Sequence, residues 1–425
     1  VNTKIKPPFP IFGTHKQVRE LNRNFPYPED IPFIRREVLL ISAQLPFCEQ
    51  DYAEAVHFLS EYGRRSAQTF NAFRTETERF LLWSWLIAEK SVISLRKSDI
   101  NDYIDFCMNP PVSWVNTQQA AHFVRKNSKT SGDDDKLEEY TANKAWKPFK
   151  VTEPISPRAT RVKRTPQTKS IERQFSIMKV FYDFMIDEDY ALGNPVPVAK
   201  KRSPYIIKSS EPPTIKRFSE DDWETILQYI TEAADEDPLY ERNLFAVVTL
   251  KSLYLRISEI SERDNWQPKM SDFHESNESY WFWAFGKGGK KRRVSIPDAY
   301  FKYLKRYRVY RGLTPMPTQS DNSPLISKLK GRGGISTKQS SRLIEDAFTI
   351  VINRLTKEGQ ISKATEIMSA SSHWLRHTGA SIDALTRPIK HLSDDLGHTS
   401  MATTDKEYIQ STLMERGKTG KVRKV

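Results

Sequence analysis

The sequence predicts a mainly helical chain of two domains, with one small β-hairpin in the second. Three observations carry this expectation. Apolar side chains recur at steps of three and four, as in Phe70, Phe73, Thr77, Phe80 and Leu81, and again in Ile171, Phe175, Met178, Tyr182 and Met185. One aromatic run, YWFWAF at 280–285, is followed by GKGGKK and by RRVSI at 292–296, which reads as two strands joined by a turn. The chain has 425 residues, enough for two cores, and its basic, proline-bearing stretch at 199–216 (AKKRSPYIIKSSEPPTIK) has the composition of an extended linker.

Taken in order, residues 1–45 are rich in proline and cations and predict an extended arm or a packing strap, with a short helix near 34–45. Helices are expected over 52–62 and 66–90, then from Ser98 to the Pro110-Pro111 stop, and through the Ile171 stripe to Gly193-Asn194-Pro195. Between the last two, 126–169 is polar, carries an acidic knot at 133–135 and turns basic. Arg158, Arg161, Lys163 and Arg164 there, and Lys200, Lys201 and Arg202 in the linker, are candidates for following a phosphate backbone; a solvated loop is the alternative. Beyond the linker, Ser219 with Asp222 forms the start of a helix, and an apolar helix is expected over 240–263. Further helices are expected over 297–311 and 338–358.

Composition narrows the function classes. Sixty-six Lys+Arg against 53 Asp+Glu give a formal charge of +13, a field that attracts polyanions. Cys48 and Cys107 make no disulfide framework and suit a reducing cytoplasm. The longest apolar run, 80–88, is interrupted by Ser84 and is far short of a membrane span, and no signal-peptide pattern is present.

The chemistry concentrates near the C-terminus. With Ser371 or Ser372 as N-cap, His373 and Arg376 share a face in the first helical turn. Gly397 reads as the left-handed stop of a short helix from Pro388, leaving His398 on the corner; Tyr408 follows ten positions on. A guanidinium and imidazole N–H groups suit the non-bridging oxygens of a phosphodiester under attack. A tyrosine hydroxyl, with an ordinary pKa of about 10, needs such a cationic surround before it attacks. His373 and His377 are also spaced as a helical zinc pair, but Trp374 stands where the metalloprotease motif carries its glutamate, so no metal is expected. Arg256 closes an apolar run beside Glu259, which is expected to pair with the surrounding fold and so leaves Arg256 to face a ligand; Lys287 sits in the hairpin turn.

The ordered set is Arg256 in LYLRISEI, Lys287 in FGKGGKKRRVSIP, His373 and Arg376 in HWLRHTGAS, His398 in LGHTS and Tyr408 in TTDKEY. It resembles the tyrosine recombinases, the phage-integrase family of site-specific DNA recombinases, over most of the chain from about Tyr52 onward. The resemblance implies a C-shaped two-domain clamp on duplex DNA. In it, 46–198 is a helical, SAM-like core-binding domain, 217–410 the catalytic domain, and 411–425 a basic tail exchanged between protomers. It implies that Arg256, Arg376 and His398 hold the scissile phosphate, His373 is the general base, Lys287 the general acid and Tyr408 the nucleophile of a 3′-phosphotyrosyl intermediate, without ATP, metal or other cofactor. Lys290 or Lys291 replaces Lys287 if the turn is shifted. It further implies a homotetramer on two DNA sites, an accessory directionality factor, a cytoplasmic, nucleoid-associated setting and service to a mobile element. The alternatives are a catalytically silent DNA-binding accessory protein, or the same chemistry turned to dimer resolution or topoisomerase-like relaxation. One departure from the family pattern is the His398 to Tyr408 spacing, which is commonly nine.

Overall fold

A computed structural model of the chain describes residues 7–64, 66–126, 139–206, 216–286, 289–398, 400–408 and 421. The chain is mainly helical with small sheets, and divides into two compact units, Val1–Ser210 and Glu211–Val425. No helix among the described residues is long and apolar enough to cross a membrane.

The first unit contains α1 (His15–Val18), α2 (Pro32–Ser42), α3 (Cys48–Gly63), α4 (Ala67–Trp83), α5 (Lys97–Met108), β1 (Val115–Asn116), β2 (Phe123–Arg125), β3 (Tyr140–Ala142), β4 (Phe149–Lys150), α6 (Thr168–Asp187) and α7 (Val196–Lys201). The helical stripes meet where Phe58 packs against Phe73 and Phe181, with ring centroids 5.4 and 5.1 Å apart. Asp51, fully buried, ties three segments together: it accepts from Trp85 Nε1 (3.1 Å), Ser91 Oγ (2.7 Å), the Val92 N–H (3.1 Å) and Tyr190 Oη (3.0 Å). The N-terminal stretch is sewn into this core. Ile11 and Phe12 are fully buried and donate their N–H groups to the Glu78 carboxylate at 2.9 and 3.2 Å.

Two expectations for this unit change. The polar stretch after Arg125 is not simply a loop: β2 pairs with β3 antiparallel and β1 with β4 parallel, and the chain then runs back along the end of α5, where Val162 N donates to Pro110 O (2.9 Å) and Arg164 N to Met108 O (2.8 Å). The start of the expected linker is helical, because α7 runs to Lys201. The acidic knot and residues 207–215 lie outside the described residues.

The second unit contains α8 (Glu220–Glu236), α9 (Glu241–Ser252), β5 (Phe273–Ser276), β6 (Ser279–Phe285), β7 (Lys291–Ser295), α10 (Phe301–Tyr310), α11 (Thr337–Lys357), α12 (Ile361–Met368), α13 (Ser372–Asp383), α14 (Ile389–Leu396) and α15 (Met401–Tyr408). Ser219 caps α8 by accepting the Asp222 N–H at 3.1 Å. The hairpin gains a third strand, β5, in an antiparallel sheet of order β5-β6-β7, with Phe282 facing Phe273 on one side and Val294 on the other. Strand alternation turns Phe282, Ala284 and Val294 into the core, with Ile226, Ile230, Val247 and Val351, all fully buried. Neither β5 nor α12 is apparent from sequence pattern.

Candidate active site

The first arm of the site exists because a helix stops early. Sequence periodicity carries α9 to residue 263, but it ends at Ser252. Here α13 crosses, and its Gly379 lies so close that a Cβ would overlap the Lys251 carbonyl oxygen. The chain leaves through Tyr254, held in the left-handed region at φ 48°, and Arg256 then opens a 3₁₀ turn, Ile257–Glu259. The Tyr254 carbonyl, freed from helical bonding, accepts from Arg376 Nη1.

Arg376 is 1 % exposed. A buried guanidinium needs its donors used, and Nη2 bonds the Leu396 carbonyl at the end of α14 (2.7 Å) and reaches Nε2 of His398 at 3.4 Å. Gly397 ends α14 in the left-handed conformation, φ 67°, as the sequence predicts, and so turns His398 back over Arg376. The other ring nitrogen of His398, Nδ1, lies 2.8 Å from Oγ1 of the fully buried Thr404 on α15. With Nε2 accepting from Arg376, Nδ1 carries the proton to Thr404.

Ser371 is the N-cap of α13, which places His373 in its first turn, exposed, with the His377 ring edge-on at 4.5 Å. Desolvation, then the charges of Arg376 and Arg256, lower the His373 pKa. Desolvation with His373 and Arg376 pushes His377 down to about 4, and desolvation with Arg376, Arg256 and Arg292 does the same for His398. The imidazoles are therefore neutral near pH 7, and among the described residues the positive charge of the site rests on the arginines. No group of three metal-capable side chains occurs among the described residues.

Glu259 is fully buried and accepts the Arg256 N–H at 2.8 Å, with Arg256 Nη1 at 3.3 Å. The main partner of Glu259 comes from the surrounding fold, as expected, and the contact with Arg256 Nη1 is the weaker one. Arg292 from β7 grips the same carboxylate with Nη1 and Nη2 at 2.7 and 3.0 Å, while its Nε donates to the Asp395 carbonyl at 2.7 Å. Burial pushes the Glu259 carboxyl up, but the bonds and charge of Arg292, helped by the Arg256 N–H and by Arg376, hold it below the usual value. Sequence reading missed Arg292. The signal was there: it shares the strand face of core residue Val294, where a charge needs a partner.

Arg256, Arg376 and His398 thus converge, with His373 on the same helix turn as Arg376. Lys287 lies outside the described residues. Lys290 is exposed, its carbonyl closing the turn by accepting from Gly286 N at 2.8 Å, and Lys291 lies over the Trp283 ring at 4.5 Å. Tyr408 is the last residue of α15, its side chain outside the described ones. In the first unit Arg158, Arg161 and Lys163 are exposed, although Arg161 Nη1 also donates to Asn109 O at 2.7 Å. Arg164 is half-buried: it donates to Cys107 O at 2.8 Å and sits 4.7 Å over Phe149, which fastens the returning chain to α5. Lys200 is half-buried, and Lys201 and Arg202 are exposed.

Comparison with known proteins agrees with this geometry. Residues 216–414 match the phage integrase family. Tyrosine recombinase XerD of Rickettsia bellii (strain RML369-C) is 27 % identical over 251 residues, covering 56 % of this chain and 72 % of XerD. The XerH site-specific recombinase bound to palindromic difH substrate, in a post-cleavage complex, shares the fold with a TM-score of 0.54 at 13 % identity, over 98 % of this chain and 99 % of that one. Residues 216–414 are thus a phage integrase family domain, and the chain is similar to the tyrosine recombinases, whose work is site-specific recombination.

Proposed function

We propose that this chain cleaves and rejoins duplex DNA at a specific site through a 3′-phosphotyrosyl bond to Tyr408. The observation that carries the reading is the convergence on one centre of Arg376, buried and fixed by two backbone carbonyls, with Arg256 and His398. In the proposed step the Tyr408 oxygen attacks phosphorus and the bond from phosphorus to the 5′ oxygen breaks. His373, held neutral by desolvation and by its cationic neighbours, accepts the tyrosine proton, and Lys287 gives a proton to the departing 5′ oxygen. Arg256 and Arg376 hold the non-bridging oxygens as charge shifts onto them, and His398 adds a hydrogen bond. For that bond Nε2 must carry a proton, which His398 gains on DNA binding while Nδ1 keeps its own on Thr404.

The energy of the cleaved bond is kept in the phosphotyrosine, so a 5′ hydroxyl of a partner strand reverses the step, and the chemistry calls for neither ATP nor metal. In this reading 46–198 is the core-binding domain, with Arg158, Arg161, Lys163, Lys201 and Arg202 available to the DNA backbone, and 217–410 is the catalytic domain. Both bind the duplex, four protomers act on two sites, and the enzyme integrates or excises a mobile element.

The test is incubation of the protein with a nicked suicide duplex carrying its site, followed by a denaturing gel, with Tyr408→Phe alongside. An adduct lost in the variant supports the reading and shows that the ten-residue spacing is tolerated. Tight binding without an adduct points to the accessory protein; an adduct that persists in the variant means another nucleophile.

A further inference from the structure

Arg292 stands apart from every group given a chemical role above, yet it touches the supports of two of them. Its three donor nitrogens are all engaged: Nη1 and Nη2 on the two oxygens of Glu259, Nε on the Asp395 carbonyl. Glu259 in turn fixes the backbone of Arg256 through its N–H. Asp395 lies three residues before His398, and the intervening Gly397 packs directly on the Arg292 stem, where an added Cβ would lie 2.7 Å from Cδ. The Asp395 side chain is anchored as well, taking bonds from Ser295 Oγ (2.6 Å) and Arg387 Nη2 (2.8 Å). The end of α14 is therefore bound to β7 from two directions.

The structure assigns to Arg292 the part of a positioning residue: one planar fork that sets the distance between the Arg256 segment and the His398 corner. It rests on the proposed recombinase reading and deepens it. The geometry needs arginine in particular. Two parallel N–H bonds to a carboxylate and a third, in the same plane, to a carbonyl are what a guanidinium supplies, whereas a lysine ammonium reaches one such partner well and fixes no plane. Burial of Glu259 gives the fork its rigidity, because an unpaired carboxylate there is strongly unfavourable. Arg292 does not touch the phosphate in this scheme; it acts through Glu259 and Asp395.

The test compares full-length wild type, Arg292→Lys and Arg292→Ala for duplex affinity by fluorescence anisotropy, melting temperature, and single-turnover adduct formation on the suicide duplex at saturating protein. Absence of any adduct in the wild type sinks the recombinase reading itself, whereas failure of the positioning role alone shows as an active wild type with unimpaired variants. Arg292→Lys is expected to melt as a folded protein and bind DNA within about threefold of wild type, while adduct formation falls by roughly a hundredfold, the effect of misplacing a reacting centre by about 1 Å. In Arg292→Ala, added guanidinium is expected to recover adduct formation where ammonium at equal ionic strength does not. The proposal is overturned if Arg292→Lys cleaves within threefold of wild type, if affinity and rate fall in parallel, or if Arg292→Lys fails to fold.

Discussion

Replacing Gly397 by alanine isolates the packing of the His398 corner in one methyl group. Two effects add. An L-residue at φ 67° costs about 1–2 kcal/mol. The new Cβ would also lie 2.7 Å from Arg292 Cδ and 3.0 Å from its Nε, against a normal carbon–carbon contact of about 3.5–4.0 Å. The arginine stem must therefore move by roughly 1 Å, which its fork on Glu259 and its bond to Asp395 do not allow without losing at least one charge-assisted bond, about 1.5–3 kcal/mol. The expected loss is about 2.5–5 kcal/mol, read from urea unfolding followed by circular dichroism. Gly397→Asn separates the two parts: asparagine tolerates the left-handed conformation, so only the contact with Arg292 remains, about 1.5–3 kcal/mol. A Gly397→Ala loss below about 1 kcal/mol, or an asparagine variant as stable as wild type, would refute the claim that Arg292 is held against this corner.

The lowered pKa values of His377 and His398, about 4 against an ordinary 6.5, mean that the unfolded chain takes up protons first. Their contribution to stability is full above pH 6.5 and is lost as pH falls toward 4, so the urea midpoint should drop across that window, and less so in a His377→Gln/His398→Gln double variant; equal slopes would count against it. On the proposed function, a phosphate among the arginines favours protonated His398, so at fixed salt DNA affinity should rise as pH falls from 6.5 to 5, and His398→Gln should flatten the rise; calorimetry in buffers of different ionisation enthalpy reads the proton uptake directly. Thr404→Val keeps the shape but removes the partner of His398 Nδ1, and should cost about 1 kcal/mol in stability while slowing adduct formation more than it weakens binding. In the first unit, Asp51→Asn sets an amide N–H₂ against two of the four donors, whichever oxygen it replaces, and should cost about 2–3 kcal/mol in thermal or urea unfolding; an unchanged midpoint would show that the buried cluster is not a stabilising hub.

Local pattern by itself determined a good deal of this protein. The 3.6-residue stripes foretold α4 and α6, Ser219 with Asp222 the start of α8, and Gly397 the end of α14, because each depends on backbone chemistry within a few neighbours. The order of Arg256, His373, Arg376, His398 and Tyr408 in their motifs sufficed to indicate the family to which the domain at 216–414 belongs. Tertiary structure alone decided how the site is held. Where α9 stops depends on Gly379, 127 residues away in sequence, because two backbones meet there and no periodicity records it. The main partner of Glu259 is Arg292, 33 residues on, since strand pairing rather than the local helical turn brings the guanidinium to the carboxylate. Short, uncapped elements such as β5, and Arg164 turned back onto α5, were illegible for the same reason: their stability comes from partners distant in the chain, and a linear sequence shows the residues but not the distances between them.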